Sequence, residues 1–145
     1  MKIRTNVKII SENVETGKMG VIETHNVSCN AGMESLASRL VGATRGQVTY
    51  IAVGTGTNAP NAADTDLQTE LARKQISVRS ALGDTASFRI FFNTSEANGT
   101  LKEIGLFGDD ATVTADSGVL FARAAIDKEK TTSETLTIDW DLSIE

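Results

Sequence analysis

One cysteine, one histidine, one tryptophan and one proline occur in 145 residues, and each scarcity removes a class of explanation. A lone Cys29 forms no internal disulfide, and MKIRTNVKII has no apolar leader stretch, so the sequence reads as a protein made in a reducing cytosol. No apolar run approaches the roughly 18 residues that a membrane-crossing helix requires, and no membrane partner is expected. Lys and Arg number 14 against 19 Asp and Glu, giving a net charge of -5 and a pI near 4.9. No broad basic surface awaits phosphate backbones, so nucleic acid is a poor choice of partner. Aromatic residues are 5% of the chain, too few for a sugar-binding platform of several exposed rings. Periodicity assigns both Tyr50 and Trp140 to core faces.

What is present is the mixture of an ordinary globular domain: 40% hydrophobic and 23% charged residues. A domain of this length buries roughly 68% of the surface of its unfolded chain, enough for a core without metal or cofactor. One β-rich domain over residues 1–145 is expected. In the first 27 residues Ile3, Thr5, Val7 and Ile9 alternate with Lys2, Arg4, Asn6 and Lys8. That is the period of a half-buried strand. A second strand places Met19, Val21, His25 and Val27 on one face, interrupted by Glu23, and Gly17 makes the turn of an N-terminal hairpin.

Over residues 30–42 the period lengthens. Met33, Leu36, Ala37, Leu40 and Val41 form one apolar stripe of a helix near residues 31–41, with Asn30 as cap and Gly42 as terminator. From residue 47 to 145 the chain reads as antiparallel strands. QVTYIAV runs into a long loop, Gly54 to Asp66, and a strand around Lys74 to Leu82 follows with Ile76, Val78 and Leu82 alternating. SFRIFFN and LKEIGLF flank Asn98-Gly99 and are expected to pair across it as a hairpin. An acidic loop spans Gly108 to Gly118. The last strand alternates most cleanly, with Leu136, Ile138, Trp140, Leu142 and Ile144 on one face. About eight strands and one helix predict a mainly β fold, an antiparallel β-sandwich or flattened barrel with the helix plugging one end. The edge of the last strand would need a partner, and a neighbouring subunit is one.

Chemistry-bearing residues are sparse. His25 and Cys29 could pair as base and nucleophile, yet nothing in their spacing compels contact and no third group orients them. The bland assignment is a strand histidine and a small buried thiol. Gly54 and Gly56 follow a strand as a phosphate loop does, but Asn58-Ala59-Pro60 stands where the helix start should be. Close backbone approach explains the glycines better. Asp64 with Asp66, Asp109 with Asp110 and Asp116, and Asp139 with Asp141 offer carboxylates for calcium or acid–base work, without the spacing of a known calcium loop. Arg73, Lys74 and Arg79, taken as one strand, read as a charged face or a subunit salt-bridge surface. No catalytic, cofactor or metal residue is therefore assigned.

The order of motifs carries further. HNVSCNAGMESLASRLVG, YIAVGTGTNAPNAADTDLQTELARKQI, FFNTSEANGTLKEIGLFG and LFARAAIDKEKTTSETLTIDWDLSIE follow one another and cover most of His25 to Glu145. In this order the chain resembles the particle-attachment region of phage tail-collar and tail-fibre proteins and their small relatives in necks and baseplates. The matching positions are Asn26 before the helix, Gly54 and Gly56 after a strand, and Leu67 with Glu70 entering the next strand. Glu103, Gly105 and Phe107 in Glu-Ile-Gly-Leu-Phe and Trp140 in the last strand complete the set. The resemblance implies packing and turn roles for them, since sites rather than folds define function.

It also implies a non-enzymatic virion protein, made in the host cytoplasm, that forms homo-oligomers and binds other phage proteins of tail, neck or fibre. Collar-type fibre proteins continue into a shaft or receptor-binding tip, whereas this chain stops where the attachment-like region does. An adaptor or small decorating subunit is therefore expected, with the long loop, the acidic loop and the N-terminal hairpin as contact regions. The competing expectation is a β-sandwich module that holds a ligand or glycan in its long loops.

Overall fold

The computed structural model describes residues 2–145 as ten strands and one helix. The strands are β1 (Ile3–Asn13), β2 (Met19–Thr24), β3 (Val27–Ser28), β4 (Val48–Gly54), β5 (Glu70–Gln75), β6 (Val78–Leu82), β7 (Thr85–Phe92), β8 (Gly99–Gly108), β9 (Val119–Lys130) and β10 (Glu134–Ile144). Helix α1 is Asn30–Leu40. The fold is an antiparallel β-sandwich of two five-stranded sheets, ordered β2-β1-β10-β7-β6 and β3-β9-β8-β4-β5. Between them Val7, Ile9, Ile90, Ile138 and Trp140 of the first sheet pack against Ile51, Val53, Ile104 and Leu106 of the second. The alternation read in β1 and β10 puts the expected residues on the inner side as far as Leu142, while Ile144 at the end of β10 is 53% exposed.

Several expectations change once the pairing is seen. In β2 it is Gly20, Ile22 and Thr24 that turn inward, while Met19 and Val21 face water. The register explains this: they sit opposite Ser11, Ile9 and Val7 of β1, and opposed residues of an antiparallel pair share a face. The segment around Lys74 to Leu82 is not one strand. Ile76 is buried at a crossing where β5 leaves the second sheet and β6 enters the first, so Val78 and Leu82 end up exposed.

Asn98-Gly99 does not close a hairpin either, because β7 and β8 lie in different sheets. The segment between them is an arch in which the Lys130 ammonium donates to the Asn93 carbonyl at 2.9 Å and to Asn98 Oδ1 at 2.7 Å. Strand β10 has no free edge: β1 flanks it on one side and β7 on the other. The open edges belong to β2, β6, β3 and β5.

Helix α1 occupies the expected residues but shows a different face. Cys29, not Asn30, is its N-cap and makes no side-chain capping bond. Gly32 and Ser35 are buried while Leu40 and Val41 are 79% and 87% exposed. The cause is contact distance. A Cβ at residue 32 would collide with the Phe121 backbone, so the glycine lets the helix lie directly on β9. Ser35 donates to Asp109 from the same face.

Candidate functional site

The inner face of β4 contributes Ile51 and Val53 to the sandwich, so its alternate residues Tyr50 and Ala52 point out of the second sheet. That outer side is covered. Leu67, from the long loop between β4 and β5, packs there with Tyr50, Ala52, Phe107, Leu120 and Cys29. A loop lying on a sheet must find partners for its backbone amides. Glu103 of β8 supplies them.

The Glu103 side chain is 1% exposed. Its Oε1 accepts from the amides of Gly56 at 2.9 Å and Thr69 at 2.7 Å, and its Oε2 from the amide of Gln68 at 2.9 Å. Arg123 of β9 donates to Oε2 through Nη2 at 2.8 Å and Nε at 3.2 Å. The same guanidinium reaches Asp64 Oδ2 at 2.8 Å and the Asn58 carbonyl at 3.0 Å. Burial by itself would raise the Glu103 pKa, but the donors on Thr69, Gln68, Arg123 and Gly56 outweigh it and hold the carboxylate below its ordinary range. Arg123 is pulled the other way: burial lowers it, and its bonds to Asp64 and Glu103 leave it raised. One buried ion pair thus ties both ends and the middle of the long loop to the sheet.

Gly54 and Gly56 are small for this reason. A Cβ on either would press into the Glu103 side chain, and neither has a left-handed backbone. Close approach, rather than dihedral freedom, requires them. Gly105, next but one to Glu103, makes the room in which Leu67 sits. Gly54, Gly56, Leu67, Glu103, Gly105 and Phe107, which span two separate motifs of the sequence, therefore meet in one device.

A second tie holds the acidic loop. Arg73 and Glu70 of β5 form a bidentate pair, both contacts at 2.7 Å, with side chains 3% and 2% exposed. The guanidinium carbon stands 4.6 Å from the Phe107 ring centroid, and Nη1 donates to the carbonyls of Thr112 and Ser117. Arg73 is thus not part of an exposed charged surface with its neighbours. Lys74 pairs with Glu96, and Arg79 lies in another strand of the other sheet. Asp109, with a left-handed backbone at φ 58°, accepts from the amides of Gly46 at 2.6 Å and Gln47 at 3.3 Å and from Ser35. Against the upward push of burial, the bonds from Ser35, Gly46 and Gln47 and the charge of Arg45 keep its pKa low.

His25 and Cys29 do different things. The imidazole Nδ1 lies 3.2 Å from the Thr5 carbonyl at the first sheet, while Cys29 is buried on the second. Burial first, and the field of Asp64 second, push the thiol up to about 11, opposite to what a nucleophilic thiolate needs. Among the described residues no three His, Cys, Asp or Glu side chains gather as a metal site. Asp139 pairs with Arg89 on the first sheet. Asp66 carries a raised pKa, from burial and then from Asp116 nearby.

Two expected positions stand apart from the device. Trp140 is at the centre of the core with its Nε1 unpartnered, and Asn26 has both side-chain polar atoms buried without a partner. Arg123 and Gln68 were missed in the sequence. The available signal was an arginine inside the apolar strand LFARAAI, a charge that must find a buried partner. Comparison of the chain with protein-family models, with curated proteins and with solved structures finds no match in any of the three.

Proposed function

We propose that this chain is a non-enzymatic structural subunit of a phage particle, an oligomeric adaptor of the tail, collar or baseplate that holds fibres or neighbouring virion proteins. The observation that carries the reading is the convergence on Glu103. The resemblance to tail-collar attachment regions rests on the order of short motifs, and residues from the Gly-x-Gly, Leu-x-x-Glu and Glu-Ile-Gly-Leu-Phe segments meet in one loop-holding device. Motifs kept together by a shared architecture should meet, and these do, across the pairing of β4 with β8.

The device suits an assembly part. It presents a long loop in a fixed shape, which lowers the ordering cost when a neighbour binds. It favours the adaptor over a loop-borne ligand site, because amides at Gly56, Gln68 and Thr69 and the carbonyl of Asn58 are already engaged. Partners are then copies of the chain and other virion proteins, and the place of action is the particle.

The test is to purify phage particles from a host carrying the gene and assay them for this chain by mass spectrometry and antibody labelling. A fixed stoichiometry per particle, with label at the tail or neck, is expected. Complete particles that lack the chain, and that form normally when its gene is deleted, would overturn the proposal.

A further inference from the structure

The first sheet turns an uncovered face to water, and the pairing registers define its pattern. One row across the strands reads Glu23 (β2), Lys8 (β1), Asp139 (β10) and Arg89 (β7). The signs alternate: minus, plus, minus, plus. Asp139 and Arg89 pair within the chain, through contacts of 2.6 and 2.8 Å, whereas Glu23 and Lys8 are in no ion pair among the described residues. The adjoining row, two residues along each strand, reads Val21, Ile10, Thr137 and Phe91. Val21 and Phe91 are 57% and 47% exposed.

We infer that this face binds the same face of a second copy about a two-fold axis parallel to the strands and lying between β1 and β10. Such an axis sets β2 against β7 of the other copy and β1 against β10, with every row meeting itself reversed. An alternating row of four charges is complementary to its own reversal. Glu23 meets Arg89 of the second copy and Lys8 meets Asp139, each contact occurring twice. The apolar row meets itself as well, Val21 against Phe91, so its exposed carbons are removed from water.

Sheets pack face to face in this manner at small angles. From strand spacing and rise, the four strands that face one another offer roughly 500 Å² per copy, about 1,000 Å² in all, the threshold for a specific interface. The inference deepens the oligomeric part of the proposed function and rests on it for biological meaning, but the geometry does not depend on phage.

The experiment is sedimentation equilibrium on the purified full chain and on Glu23→Lys, Arg89→Glu and Phe91→Lys, with melting curves to show that each is folded. The native chain should form dimers of twice 15.4 kDa, and each variant should raise the dissociation constant at least about tenfold. Equimolar Glu23→Lys and Arg89→Glu should dimerise together, because each then supplies the charge the other lacks. A native chain that stays monomeric at about 0.5 mM overturns the inference. So does an oligomer that ignores all three substitutions. That second outcome removes this face while leaving an assembly role intact, and absence from particles removes the role while leaving the dimer.

Discussion

On its outer side the second sheet keeps Tyr50, Ala52, Phe107 and Leu120 beneath two loops, whereas the first sheet shows Asn6, Lys8, Asp139 and Ser87 to water. Both sheets share one core and have five strands, so sandwich packing alone does not explain the difference. The ion pairs do. On the covered side Glu103–Arg123 and Glu70–Arg73 are almost wholly buried and bind loop backbone; on the bare side Arg89–Asp139 is half open to solvent and binds only itself. A buried charge must be fully partnered, and here the partners are the loops. Covering a sheet with irregular chain thus requires anchoring groups inside the sheet.

Substitutions that sharpen this contrast fall in a clear order. Glu103→Ala leaves Arg123 buried with half its partners gone and frees the amides of Gly56, Gln68 and Thr69; it should cost about 3–5 kcal/mol of stability in a urea titration. A loss under about 1 kcal/mol would show that the anchor is dispensable. Trp140→Ala, in the core common to both sheets, should cost about 3 kcal/mol, at the low end for a large aromatic because its Nε1 has no partner to lose. Arg89→Ala on the bare side should cost no more than about 1 kcal/mol, the range for exposed pairs.

Acid should weaken the loop anchors of the covered side. Folding holds the Glu103 and Asp109 pKa values below their ordinary values, so the stability they contribute is complete above about pH 4.5 and is lost as pH falls through the folded values. Urea midpoints measured from neutral pH downward should therefore drop in this window, and Glu103→Gln should flatten the drop. An equal slope in the variant would assign the acid sensitivity elsewhere.

Strand period was enough to read β1 and β10, because one side of each faces a core and the other faces water. It failed for β2, where Met19 and Val21 suggested the wrong face and only the partner's register decides. It held at Ile76 but failed beyond it, at Val78 and Leu82, since a strand that changes sheets keeps its alternation while its neighbours change. The loop anchor was half visible. Glu103, Gly54 and Gly56 stood out by motif, but Arg123 meets Glu103 across 20 residues of sequence and Asp64 across 59, which no local pattern encodes.

Strand β10 lies between β1 and β7 in the middle of the first sheet. On the ribosome, β1 must therefore wait for β10: until residues 134–144 emerge, β1 and β7 each hold an unsatisfied edge, and the sheet exists as two separate pieces. This half of the molecule is completed in one step when β10 inserts, and a chain cut short before Glu134 would leave two sticky borders in place of a finished surface.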